Sequence, residues 1–336
     1  MDPRILDRLR CPVCGEPLAE VTAGTARALR CPRRHSFDIA RQGYVNLLAG
    51  RAPHVGDTAE MVAARVDFQS AGHYDVISAA LAAAATEATA RRSAPSAPHP
   101  EPTPPPLCSA YLGAPASAPD RRTEVSRAKE PNTGVPVGPE TPDVEAYPLV
   151  VDAGAGTGRY LGAVLAALPH AVGLALDVSK PALRRAARAH PRAAAALADT
   201  WQRLPLADRS TAVLLNVFAP RNGPEFHRVL DPGGTLLVVT PAADHLTELV
   251  DTLDLLRVDP DKADRVAANL GGHFTPVSST VHRAELTLNR TEVATLVGMG
   301  PSAWHTDPDA LATRLAALPE PVRVTVAVRL DVLTPR

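Results

Sequence analysis

The chain has 336 residues, 45% of them hydrophobic, with 35 basic and 36 acidic side chains. That allows about two domains with a sizeable core, and a net charge of −1 excludes a global basic field, so any nucleic-acid contact must be local. No apolar run reaches the roughly 18 residues of a spanning helix, no signal-peptide core follows Met1, and four cysteines are too few for a disulfide scaffold; the expectation is a soluble cytoplasmic protein without a membrane partner.

In chain order, the front part carries three of the four cysteines and then turns helical, over Ala59–Gly72 and Tyr74–Arg92. Residues 93–147 hold 13 of the 34 prolines and few large apolar residues. Such a segment buries too little surface to offset its ordering entropy. It reads as a disordered insertion, either a passive spacer or a proline-rich partner-binding stretch, with Cys108 as a free, exposed thiol. From residue 148 short apolar runs alternate with helical patterns. Strands are expected at Leu149–Asp152, Gly173–Val178, Ala193–Ala198, Ala212–Phe218 and Thr235–Thr240. Helices are expected at Tyr160–Leu168, Pro181–His190, Pro224–Leu230 and Ala243–Arg257. This alternation implies a doubly wound α/β fold with a parallel sheet. The tail breaks the alternation, with strand-like Ala284–Leu288 and Val322–Leu333 enclosing helical segments near Thr291–Val297 and Asp309–Leu318.

Cys11, Cys14, Cys31 and His35 form C-x2-C-x16-C-x3-H. Two close pairs on knuckle turns deliver the four soft or borderline ligands of a zinc tetrahedron. Two buried Cys pairs or a redox Cys-x-x-Cys are the competing readings, and the thioredoxin-like context of the second is missing. Four protein ligands close the shell, so the expected zinc is structural. Residues 1–51 also hold nine arginines, no lysine and five acids, a net of +4. Arginine favours bidentate phosphate contact and stacking on bases, although a solvated charged face would read the same. Phe37 and Tyr44 are candidates for base stacking or for the core of the module.

Val150-Val151-Asp152-Ala153-Gly154-Ala155-Gly156-Thr157-Gly158 is a strand running into a glycine turn. Alternating glycines let backbone pass close under a ligand. The turn lacks the P-loop lysine and differs from the dinucleotide G-x-G-x-x-G. It suits S-adenosylmethionine. A second strand should then end in an acid for the ribose hydroxyls, and Asp177 does so 21 residues after Gly156. A third ends at Asp199, placed to meet the adenine amino group.

These residues, with Phe37-Asp38-Ile39-Ala40-Arg41-Gln42-Gly43-Tyr44-Val45-Asn46-Leu47-Leu48, Asp57-Thr58-Ala59-Glu60-Met61 through Arg65, and Gly72-His73-Tyr74, resemble the bacterial 23S ribosomal RNA guanine-N1 methyltransferases. The back half agrees in Asn216-Val217-Phe218-Ala219-Pro220-Arg221-Asn222, His245-Leu246 and Met299-Gly300-Pro301-Ser302-Ala303-Trp304-His305. The Ala-Pro-Arg-Asn and Gly-Pro-Ser-x-Trp-His forms resemble the tylosin (macrolide) resistance branch. The likeness covers the chain except about residues 93–147.

The resemblance implies a doubly wound, seven-stranded S-adenosylmethionine-dependent methyltransferase sheet (Rossmann-like) over 148–336. It also implies a zinc-binding RNA-recognition module at 1–51 and a helical segment covering the cofactor site at 52–92. Cys11, Cys14, Cys31 and His35 match the zinc ligands. Gly156 and Thr157 match the cofactor loop beside Gly154, while Tyr74 and His245 match further cofactor contacts. The implied substrate is a guanine in a 23S rRNA hairpin loop, and the implied assembly is a homodimer. Base-contacting residues are expected within Asn216–Asn222; no general base is named. Two other classes fit parts of the pattern: a small-molecule methyltransferase with a zinc cap, and a non-catalytic RNA-binding protein on the same fold.

Overall fold

Leu149–Ala153 (β5) is buried at every residue, as expected of a strand covered on both faces. The computed structural model describes residues 1–50, 56–93, 147–253, 255, 269–300 and 307–336; the proline-rich insertion, Cys108 and most of the Gly-Pro-Ser-x-Trp-His stretch lie outside them. Around β5 stand Val172–Asp177 (β6), Ala193–Leu197 (β7), Thr211–Val217 (β8), Leu230–Pro241 (β9), Phe274–Leu288 (β10) and Val322–Pro335 (β11). These are the seven strands expected of the back half. An eighth was not foreseen: Tyr44–Asn46 (β4), from the front of the chain, pairs in parallel with β7. The sheet order is β10-β11-β9-β8-β5-β6-β7-β4. Every neighbouring pair from β9 to β4 is parallel, and β11 runs antiparallel to both β9 and β10.

The chain leaves β5 toward β6 and β7, then returns to build β8 and β9 on the other side. This makes β5/β8 the switch point, whose carboxyl edge is where such sheets bind ligands. One face is covered by Ala59–Ser70 (α2), Asp75–Ser93 (α3), Arg159–Ala167 (α4) and Arg290–Gly298, with Phe68, Ile77, Leu81 and Leu161 in the core. Thr58 caps α2 by accepting from the Met61 N–H. The other face packs against Pro3–Leu6 (α1) and Gly223–Val229 (α6), through Ile5, Leu9 and Phe226.

The front module has its own antiparallel sheet of Ala19–Ala23 (β1), Ala26–Arg30 (β2) and Ser36–Asp38 (β3). It does not stand apart. Leu18, Leu29, Cys11 and Cys31 share one apolar cluster with Leu174, Leu206 and Leu214 of the sheet layer. Leu9 bridges Leu206, the Arg10 N–H donates to the Pro205 carbonyl, and the Ala207 N–H donates to that of Arg8. Residues on both sides of the insertion belong to one compact unit. Phe37 packs against the module's cluster and Tyr44 is buried in the helix-side core, so both serve as core.

Two elements differ from expectation. β10 begins ten residues earlier than the Ala284 start read from sequence. The helix expected over Ala243–Arg257 begins at Thr247, because Leu246 turns the chain at a φ of +57°.

Candidate active site and metal centre

The four zinc-ligand candidates converge. One ligand atom from each of Cys11, Cys14, Cys31 and His35 lies within 4.8 Å of all the others. The Cys14 and Cys31 Sγ atoms are 3.7 Å apart, and His35 Nδ1 is 3.5 and 3.4 Å from the Cys11 and Cys31 Sγ atoms. A tetrahedron with Zn–S near 2.3 Å and Zn–N near 2.0–2.1 Å has edges of roughly 3.5–3.8 Å, and these three edges match it closely. Each knuckle closes through a backbone bond, Gly15 N–H to Cys11 carbonyl and Arg34 N–H to Cys31 carbonyl. Both turn residues take left-handed φ, +78° and +67°. The shell leaves no open position, which makes the metal structural.

At the carboxyl edge of β5 the glycine turn holds Gly154 at φ +86° and Gly156 at +53°. A Cβ on Gly154 would stand 2.4 Å from that of Ala219, so the turn needs glycine simply to pass the β8 loop. Gly156 is different: its Cβ would meet Arg65 Nη1 at 3.3 Å. Arg65, on α2, lies over the loop, held by Asp57 and by the Met299 carbonyl at 2.7 Å. Thr157 donates its hydroxyl to Gln69 Oε1 at 2.7 Å, tying the turn to the same helix.

Asp177, at the end of β6, accepts from the Gly156 N–H and the Ser179 N–H, each at 2.8 Å. Burial pushes its carboxyl above the usual range while those two donors pull it back. Each oxygen keeps a lone pair for a ribose hydroxyl. Asp199 is buried; one oxygen accepts from the Trp201 N–H, and the other has no hydrogen-bond partner among the described residues. Tyr74 is buried edge-on to Phe68, and its ring centre lies 6.4 Å from that of His245. His245 Nδ1 accepts from the Ala327 N–H at 3.2 Å, which leaves the neutral ring's proton on Nε2. The structure thus gathers Gly154, Gly156, Thr157 and Asp177 into one loop cluster, with Asp199 at the end of the neighbouring strand. Tyr74 and His245 form a second group across the same edge.

Sequence reasoning assigned no role to Asp152 or Arg65, and placed Phe218 only within the broad base-contacting stretch Asn216–Asn222. Asp152, the last residue but one of β5, is 1% exposed; among the described residues no cation pairs with its carboxylate, which only the Leu161 N–H approaches. Burial, and then the nearby Asp177, push it up to about 8. Its signal was in plain view: one acid closing an otherwise apolar strand immediately before the glycine turn. A carboxylate without a paired cation behind a glycine loop, an acid free for a ribose and an unpartnered Asp199 oxygen for an amino group suit S-adenosylmethionine, whose amino-acid end is cationic.

A proton count tests this assignment. With its pKa raised, Asp152 holds its proton more tightly folded than unfolded. It therefore subtracts from stability increasingly as pH rises from about 4 toward 8. A cationic ligand should expel that proton, so calorimetry at pH 6.5 in buffers of different ionisation enthalpy should show nearly one proton released per cofactor bound. Asp152→Asn should abolish the release; equal release by the variant would assign the proton elsewhere.

The arginine patch is smaller than its count. Arg4 pairs with Asp2 and Arg27 with Glu20, Arg8 is buried, and Arg10 bonds the Asp7 and Leu9 carbonyls. Arg33 stands 3.8 Å from Glu16. Arg30, Arg34 and Arg41 are exposed and make no ion pair among the described residues. Among the described residues no helix is long and apolar enough to cross a membrane.

A doubly wound sheet with this glycine turn and these acids at its switch point is an S-adenosylmethionine-dependent methyltransferase, here carrying one structural zinc. The profile of the RlmA N-terminal zinc ribbon matches residues 9–52. A protein of Micromonospora griseorubida named for 23S rRNA guanine-N1 methylation is 62% identical over 98% of both chains. The 23S rRNA (guanine(748)-N(1))-methyltransferase of Streptomyces fradiae is 44% identical over 100% of this chain and 99% of its own. A Bacillus subtilis homologue bearing the family name is 27% identical over 96% and 95%. The chain belongs to the 23S rRNA (guanine-N1)-methyltransferase family.

Proposed function

We propose that this protein transfers a methyl group from S-adenosylmethionine to N1 of one guanine in a 23S rRNA hairpin loop, acting in the cytoplasm as a homodimer. The target favoured is the guanine that the Streptomyces fradiae relative modifies, position 748, and the consequence is resistance to tylosin-type macrolides. End-to-end identity with that relative carries the reading. The intact zinc set and the acids of the cofactor edge support it and weigh against a non-catalytic binder, while the exposed arginines weigh against a small-molecule enzyme.

The bound cofactor supplies an electrophilic methyl group on a sulfonium. Gly154, Gly156 and Thr157 would cradle its amino-acid end, Asp177 would take the ribose and Asp199 the adenine amino group. Tyr74 and His245 would be further contacts of the cofactor, and with Phe218 they form one aromatic group. Guanine N1 carries a proton that must pass to a base, directly or through a water, as the N–C bond forms and the C–S bond breaks to leave the neutral thioether. The chain's contribution is to hold N1 in line with the methyl group and to exclude water, which alone removes a large entropic part of a bimolecular barrier. Unpaired loop bases are cheap to splay into such a pocket.

Mass spectrometry of 23S rRNA incubated with enzyme and labelled cofactor should find one methyl at N1 of a loop guanine. Methyl on N7 or on an exocyclic amine would overturn the assignment, and methyl on the neighbouring loop guanine would correct the target. The combined variant Arg30→Gln, Arg33→Gln, Arg34→Asn should cut RNA affinity and flatten its salt dependence by about two units of log–log slope. Cofactor affinity should not change.

A further inference from the structure

Phe218 is the first residue beyond β8 and stands at a φ of +52°. A bulky aromatic residue seldom adopts the left-handed region, and such strain persists only where neighbours enforce it. They do so here. The Phe218 N–H donates to the Val239 carbonyl at 3.1 Å, as though β8 continued. The Asn216 side chain donates to the carbonyls of Ala153 and Pro220 at 3.2 and 2.8 Å, which locks the turn against β5. Every residue of β8 is buried, yet Phe218 as a whole is 41% exposed. Core packing accounts for neither the conformation nor the exposure; glycine or asparagine would take this turn with less strain.

The ring's company is informative. Its centre lies 6.5 Å from that of Tyr74 and 6.2 Å from that of His245, in a triangle drawn from three separate segments. The next residue, Ala219, sits against Gly154 of the cofactor turn. The strained turn therefore holds a half-exposed aromatic face beside the loop that presents the methyl donor.

The geometry points to Phe218 as the platform on which the splayed target guanine stacks during transfer. This rests on the function proposed above. A phenyl face accepts any base, so Phe218 fixes the plane of the guanine while other contacts select it.

The test uses the full-length, zinc-loaded protein, S-adenosylmethionine and a hairpin transcript of the 23S loop. Loss of a base–aromatic stack corresponds to about ten- to a hundredfold. Phe218→Leu should lower kcat/KM for RNA by that factor while calorimetric cofactor affinity stays within about threefold. Phe218→Tyr should stay near wild type. Phe218→Gly, which relieves the strain, should lose RNA methylation without a lower melting temperature. With 2-aminopurine at the target position, wild type and Phe218→Tyr should quench the flipped base and Phe218→Leu should not. Wild-type kcat/KM in Phe218→Leu would overturn the proposal, as would a loss matched by cofactor affinity or a Phe218→Gly protein that melts well below wild type. If wild type itself methylated no RNA hairpin, the functional reading would fall instead.

Discussion

Cys14→Ala should take the zinc content from one ion per chain to nearly none and reduce RNA methylation by at least about a hundredfold. Three remaining ligands cannot close the shell formed by Cys11, Cys14, Cys31 and His35. Structural zinc is worth about 10–16 kcal/mol to an isolated finger at neutral pH, comparable with the whole stability of a typical domain. In this protein the loss spreads, because Cys11 and Cys31 belong to the apolar cluster that also contains Leu174, Leu206 and Leu214. A melting temperature many degrees lower should accompany the missing metal, and a strong chelator should reproduce it in wild type. Elemental analysis and calorimetry check this together; a metal-free protein that melts and methylates like wild type would refute a structural zinc.

The second large effect is expected at Asp177. Its carboxylate is both the candidate ribose acceptor and the acceptor that fixes Gly156 and Ser179. Hydrogen bonds to a charged group are worth roughly 1.5–3 kcal/mol, so Asp177→Ala should weaken cofactor binding by at least about ten- to a hundredfold. Asp177→Asn keeps one acceptor oxygen and should fall between. Gly156→Val should be as damaging, since its φ of +53° disfavours a branched side chain and Arg65 fills the space above. Titration calorimetry decides: undiminished affinity in both Asp177→Ala and Gly156→Val would move the cofactor elsewhere.

Much of this was legible in the sequence because the determinants are local. The ligand spacing of Cys11, Cys14, Cys31 and His35 is set by two knuckle turns, and Asp177 is placed by the length of one strand–helix–strand step. What was not legible depends on partners far away in the chain. Tyr44–Asn46 is three residues long, too short to show a period of two, and is a strand only because β7 lies beside it. The front of β10 is exposed on most of its residues, so no alternation of apolar and polar side chains announced it. Arg65 gains meaning only once α2 meets the glycine loop, and Phe218 stands out from the stretch Asn216–Asn222 only once the β8 turn shows its strained φ and its exposure.

The β4–β7 pairing also sets a schedule for synthesis. Tyr44 pairs with Ala195, so the front of the chain leaves the ribosome about 150 residues before its partner strand exists. At roughly 5–20 residues per second the wait is about 8–30 s. Through that interval the zinc knuckles, whose ligands are local, can close, but Ile5, Leu9 and Leu29 have no sheet to cover them. The nascent ribbon must therefore hold its metal with an apolar face bare. The same ion that steadies the finished enzyme keeps its half-made form from collapsing, and translation under zinc limitation should yield aggregates rather than a slowly maturing apoprotein.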